Sequence, residues 1–172
     1  ADKLDIDARA SEGDARAGRR YRACVSEYTQ TYSTTVAGSV DDCFAVLIDF
    51  PDYVRWSSPI TTCRVLAQHA DGLPKHVEFA LDMSIKTIRY VLEYTFDRPH
   101  GATWRLVEGD VKDVEGSYRF VPDGDGAIAT CTQAIDLGFW VPGFIRSTFE
   151  KKALRDSVEE FRKAVAQRTG RA

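Results

Sequence analysis

The chain has 172 residues, 44% of them hydrophobic and 28% charged, with a formal net charge of -3. That size and balance place it among ordinary globular chains able to bury a sizeable core, and one folded domain is expected. The acidic balance supplies no field to attract a nucleic-acid backbone, so nucleic acid is set aside as a partner.

No stretch approaches the roughly 18 consecutive apolar residues of a membrane span. The first residues carry no apolar core of the kind a secretory signal needs. Arg19 and Arg20 are followed by Tyr21, Arg22, Ala23 and Cys24 rather than an apolar run, so the pair reads as a solvated basic patch. A cytoplasmic location is expected. Cys24, Cys43, Cys63 and Cys131 are spaced too widely for a zinc knuckle or a C-x-x-C redox pair, and read as reduced, mostly buried thiols. No metal and no cofactor are expected.

In chain order, residues 1–27 are rich in Asp, Arg, Ala and Glu with scattered apolar positions, too few to offset the entropy of ordering. They read as a polar tail, at most partly helical, and residues 28–172 as the folded domain. Tyr28 to Val36 turns to Thr, Tyr, Ser and Val, which favour a pleated surface, and is the first strand. Ser39 then suits an N-cap, with Asp41 and Asp42 in the first turn where the helix dipole favours negative charge. Val40, Phe44, Leu47 and Ile48 recur at helical spacing, so a short helix ends before Pro51, and a second holds Asp52 to Trp56.

The following strands declare themselves by alternation. Thr61, Cys63 and Val65 mark one; Val77, Phe79, Leu81 and Met83 share a face of the next, with His76, Glu78 and Asp82 opposite. Ile88, Tyr90, Leu92, Tyr94 and Phe96 face one way in a longer strand, and Trp104 and Leu106 follow. Val114, Gly116, Tyr118 and Phe120 line another, and Ala129, Cys131, Gln133, Ile135 and Leu137 the last. Turn residues punctuate the junctions at Asp71-Gly72, Pro99-His100-Gly101, Glu108-Gly109-Asp110 and Pro122 to Gly126, so the strands form an antiparallel meander. A final helix from about Pro142 to Arg168 carries Leu154, Val158, Phe161 and Val165 in an apolar stripe flanked by Ala153, Ser157 and Ala164. Only the sheet is large enough to cover that stripe. The class is α+β, and a bent sheet clasped by one long helix encloses a cavity.

The passage Ile48-Asp49-Phe50-Pro51-Asp52-Tyr53-Val54-Arg55-Trp56-Ser57-Ser58-Pro59 resembles the helix-to-strand segment of the START-like, or SRPBCC, superfamily. Similar patterns occur at Arg89 to Tyr94, at Glu115 to Phe120, and at Leu137 to Phe144 leading into the last helix. The likeness is greatest to the polyketide cyclase/dehydrase and coenzyme Q-binding (lipid transport) branch. It implies a helix-grip fold, with a curved antiparallel sheet of about seven strands, two short helices and a long C-terminal helix. Residues 1–27 have no counterpart in that core.

A grip fold implies a tunnel between helix and sheet, mostly apolar with a few placed polar groups. Phe79, Met83, Tyr90, Tyr94, Trp104 and Tyr118 are the candidates from the sheet, Trp56 near the mouth, and Phe149 from the start of the long helix. Each has plain core packing as its alternative. A buried phenol needs a hydrogen-bond partner, so the three tyrosines suit a ligand with a carbonyl or quinone oxygen. Gln133 is the sharpest candidate for orienting a ligand, because an inward amide must be satisfied by protein, water or guest.

Catalytic candidates are fewer. His69 and His100 fall at turns and His76 on an outward face, so none is placed as a general base inside the cavity. Neither a G-x-S-x-G elbow nor a His-Glu-x-x-His motif is present. Asp123-Gly124-Asp125-Gly126 lacks the spaced ligands and closing Glu of a calcium loop and reads as a hairpin turn. Arg146, Lys151, Lys152 and Arg155 form a basic cluster that reads as a solvated helical face, with transient contact to anionic lipid headgroups as the alternative. The expected function is a non-catalytic carrier or chaperone for a hydrophobic small molecule: a lipid, an isoprenoid quinone or a polyketide. The rival is a polyketide aromatase/cyclase or dehydratase, and a third reading is a protein-interaction module like the ribosome-associated toxins of the superfamily. Nothing in the pattern specifies an oligomeric state.

Overall fold

The computed structural model describes residues 29–83, 86–138 and 143–171, with side chains described throughout these except over 143–150. The polar tail and Pro142 therefore lie outside the described residues. Seven strands run β1 Gln30–Val36, β2 Ile60–Gln68, β3 Pro74–Asp82, β4 Thr87–Asp97, β5 Gly101–Gly109, β6 Asp113–Asp123 and β7 Gly126–Asp136. Between β1 and β2 stand α1 (Val40–Ile48), a 3-10 turn at Phe50–Asp52 and α2 (Tyr53–Trp56); α3 (Gly143–Thr169) closes the chain.

One sheet carries the strands in the order β1-β7-β6-β5-β4-β3-β2, every pair antiparallel. β2 to β7 form the expected meander, and β1 joins its far end beside β7. The helix start at Ser39 is a full capping box: the Asp42 N–H donates to the Ser39 hydroxyl oxygen at 3.1 Å, and the Ser39 N–H to the Asp42 carboxylate at 2.8 Å. Two otherwise unpaired donors at the helix end are thereby satisfied.

One predicted facing is corrected. Alternation groups Thr61 with Cys63 and Val65, yet Thr61 is exposed and its hydroxyl donates to the Ala80 carbonyl at 3.1 Å. The register between β2 and β3 slips between Ile60 and Thr62, so the extra residue re-aims the start of the strand and turns Ile60 inward instead.

The concave face is packed at one end and hollow at the other. At the packed end the Phe120 and Phe161 rings stack with centroids 5.7 Å apart, Phe44 meets Phe96 edge-on at 5.9 Å, and Val36, Ala127 and Val165 are fully buried. α3 crosses here over β1 and β7. It is pinned by Tyr32 Oη donating to Glu159 Oε1 (3.0 Å), by the Arg168 guanidinium on Asp49 (2.9 Å) and by Thr169 Oγ1 on the Ala37 carbonyl (3.1 Å). Leu154, Val158, Phe161 and Val165 form the buried stripe anticipated from their spacing.

Candidate functional site

Towards the N-terminal half of α3 the stripe changes character. Ala153, which is exposed, and Ser157, which is half-buried, stand one helical turn apart at the border of a hollow, whereas Phe161 and Val165 fill the space further along. Two small side chains leave the room, and a cavity of about 340 Å³ opens between α3, α2 and the sheet. That volume falls within the range of small-molecule pockets.

The floor of the cavity is built by glycines as much as by aromatics. Trp104 of β5 lies across Gly116 of β6, its register partner; a Cβ at position 116 would sit 2.5 Å from the indole. Gly109, at φ +152, lets the end of β5 approach Tyr90 so closely that a Cβ there would fall 2.4 Å from the Tyr90 Cβ. Tyr94 is then held between Phe50 (4.8 Å between centroids) and Trp104 (5.8 Å), and Tyr90 against Phe79 (5.8 Å). Tyr118 packs on Phe161 at 5.0 Å.

Enclosure makes the phenol and thiol groups on this wall weaker acids. Burial pushes the Tyr94 and Tyr118 phenols well above the ordinary value of 10.0, and the Cys131 thiol up to about 12. All three stay protonated and neutral at physiological pH. Tyr118 and Cys131 are hydrogen-bonded to each other, and Tyr53 Oη donates to the Leu47 carbonyl at 2.7 Å. The Tyr90 and Tyr94 hydroxyls have no partner among the described residues, while no fully buried side-chain polar atom there is left unpaired. Both residues line the cavity, where their hydroxyls can meet a guest.

Of the residues singled out from the sequence, Phe79, Met83, Tyr90, Tyr94, Trp104, Tyr118 and Gln133 come together on the cavity wall. Trp56 does not: its half-buried ring is wedged against Tyr53 (4.5 Å) and Phe161 (6.1 Å), bracing α2 on α3. In a helix of a single turn, positions 53 and 57 share a face, and Tyr53 and Ser57 take the places on the wall. The Phe149 side chain lies outside the described residues.

Several wall residues were missed. Gln30 is the register partner of Gln133, and its facing was legible once β1 was paired with β7; Ile60 was hidden by the bulge. Ser157 was noted only as a small residue beside the stripe.

The histidines divide. His100 is exposed, and His76 sits on the outer face 3.7 Å from Glu93. His69 is more than a surface turn residue: it is half-buried, its Nε2–H donates to the Tyr94 carbonyl at 2.8 Å, and its ring meets Phe96 edge-on. The β2–β3 turn thus braces β4 from outside the cavity. Asp123 to Gly126 is the β6–β7 hairpin turn, and the described residues hold no cluster of acidic, His and Cys side chains suited to a metal ion. Cys43, Cys63 and Cys131 are buried free thiols; Cys24 lies outside the described residues.

A bent sheet, a long helix laid across it and an aromatic hollow between them define a helix-grip container of the START-like superfamily. Residues 28–169 match the family model described as "Polyketide cyclase / dehydrase and lipid transport", and the chain belongs to that family. Among curated proteins no sequence matches the chain.

Solved structures give the same architecture. A START superfamily protein from Mycobacterium smegmatis is 20% identical with a TM-score of 0.76, over 81% of this chain and 98% of its own. The Zhui aromatase/cyclase from Streptomyces sp. R1128 is 18% identical at 0.67, covering 82% and 94%. The di-domain aromatase/cyclase StfQ from the steffimycin biosynthetic pathway is 13% identical at 0.65, covering 83% of this chain and 46% of that one. At such identities the likeness is one of fold, and no helix among the described residues is long and apolar enough to cross a membrane.

Proposed function

We propose that the protein holds a hydrophobic small molecule non-covalently between the sheet and α3, as a carrier or chaperone. The observation that carries this reading is the cavity itself: about 340 Å³ of space walled mainly by aromatic and aliphatic side chains, with two phenol hydroxyls that have no hydrogen-bond partner among the described residues. Burying apolar surface at about 25 cal/mol per Å² supplies affinity without covalent chemistry. The family's description, which includes lipid transport, agrees with such a role.

Native mass spectrometry of the protein purified from its own host tests the proposal. A retained hydrophobic compound, lost from Ser157→Phe, is the expected result. A wild-type protein that retains nothing and fails to take up Nile red overturns it.

A second reading is favoured by the likeness to two aromatase/cyclases. In it the cavity folds a polyketide chain, Tyr90 or Tyr94 steers a proton, and orientation supplies most of the rate. Turnover of a polyketide mimic that Tyr94→Phe abolishes would establish that reading over the carrier.

A further inference from the structure

One side of the cavity ends in a pair of amides. Gln30 of β1 and Gln133 of β7 are direct register partners. The hydroxyls of Thr31 and Thr132, the next pair along, meet at 3.0 Å on the outer face of the sheet, so alternation turns both glutamines inward. Directly opposed residues of an antiparallel pair have Cβ atoms about 5 Å apart, close enough for the two amides to grip one small group together. Both residues line the cavity, and neither amide has a hydrogen-bond partner among the described residues.

Their register row continues across the sheet through Gly116 and Trp104 to Tyr94. From β7 to β4 is three strand spacings, about 14 Å along the sheet. One end of the row therefore presents two amide oxygens and two amide NH2 groups, and the other a phenol hydroxyl, with an indole face between them.

The charge on the wall selects among guests. Among the described wall residues the single charged side chain is Asp82, an acid, and none is Lys, Arg or His. The phenols and the Cys131 thiol there stay protonated and neutral, so they add no charge of either sign. An ionised carboxylate or phosphate drawn inside would lose its hydration without gaining a counter-ion, which burial penalises strongly. A neutral group with both a donor and an acceptor would instead satisfy the amides.

We infer that Gln30 and Gln133 form a paired-amide clamp that selects a neutral guest bearing a donor-acceptor group, a carboxamide, lactam or enol, and rejects the corresponding anion. This rests on the container reading above and names the ligand chemistry within it.

The test is displacement of Nile red from the full chain near neutral pH by three ligands with the same alkyl chain: decanamide, methyl decanoate and decanoate. Decanamide is expected to compete at least about ten-fold better than decanoate, with methyl decanoate between them. In the double variant Gln30→Leu, Gln133→Leu, which keeps volume and apolar packing, the advantage of decanamide over methyl decanoate is expected to disappear while Nile red still binds. Decanoate competing as well as decanamide in the wild type overturns the clamp, as does a double variant with unchanged preference. Failure of Nile red and all three ligands to bind the wild type removes the container reading itself, and the clamp with it.

Discussion

At position 116 the side chain is a hydrogen atom, and that decides where the indole of Trp104 can lie. A Cβ there would come within 2.5 Å of the ring and 2.7 Å of the Thr132 carbonyl, neither of which can yield without moving the neighbouring strand or the cavity floor. Gly116→Val is expected to displace Trp104 and cost about 1–3 kcal/mol by overpacking, read as a lower urea midpoint together with a red-shifted tryptophan emission. Ser39 acts just as locally. Ser39→Ala removes the oxygen that accepts the Asp42 N–H, and a loss of about 1 kcal/mol is expected in chemical denaturation. By contrast Tyr94→Phe removes only a hydroxyl that has no protein partner among the described residues, so stability should hold. Its expected effect is on the guest: an oxygen-bearing ligand bonded there binds up to about ten-fold more weakly, measured by calorimetry.

At the scale of elements, α3 does two jobs with one sequence pattern. Its C-terminal half fills the grip with Phe161 and Val165, both fully buried, while its N-terminal half holds the grip open with Ala153 and Ser157. The two halves should therefore respond differently to substitution. Phe161→Ala leaves a void under three ring contacts, with Trp56, Tyr118 and Phe120, and is expected to cost about 3–5 kcal/mol. Ser157→Phe grows into existing space; the fold is expected to persist, by circular dichroism, while uptake of Nile red is lost. The loop from α2 to β2 is tied to the same helix, since the Ser58 N–H and hydroxyl donate to the two oxygens of the Glu160 carboxylate at 3.2 and 2.6 Å. That tie holds the loop against α3.

For the whole molecule, stability is bounded by acid on one side and alkali on the other. The Asp42 carboxyl is held below its usual 3.8 by the Ser39 N–H and hydroxyl, and Glu93 and Glu159 below 4.5 chiefly by hydrogen bonds from Arg105 and Arg162. Depressed values mean stabilisation that is present above the unfolded carboxylate range and is lost as pH falls from about 4.5 through the folded values. On the alkaline side burial lifts Cys43, Cys63 and Cys131 from 9.0 to about 12. The unfolded chain gives up those protons first, so stability complete below about pH 9 is lost as pH rises towards 12. Urea midpoints should thus fall on both flanks of a neutral plateau, and Cys43→Ala with Cys63→Ala should make the alkaline flank less steep while leaving the slope of the acid flank unchanged.

Strand alternation, helical spacing and turn residues are local properties, which is why the seven strands, the N-cap at Ser39 and the buried stripe of α3 are legible in the sequence. Facing failed where pairing intervened: the slip between Ile60 and Thr62 depends on β3, and nothing in β2 itself announces it. Trp56 was misplaced for a related reason, since a one-turn helix shows which face it uses only once α3 is beside it. Gln133 was visible as an amide among apolar neighbours, but Gln30 became meaningful only when β1 was seen to join β7, a pairing between residues about a hundred positions apart.

From the order of residues alone came the α+β class, the meander and the inward set of aromatics, because each is dictated by interactions within a few positions of the chain. Whether the grip is filled or hollow is different in kind. It depends on how far α3 stands from β4 and β6, on two small side chains meeting bulky ones from distant strands, and on the closeness that Gly109 and Gly116 permit. Volume is a property of surfaces brought together, and only the assembled structure decides it.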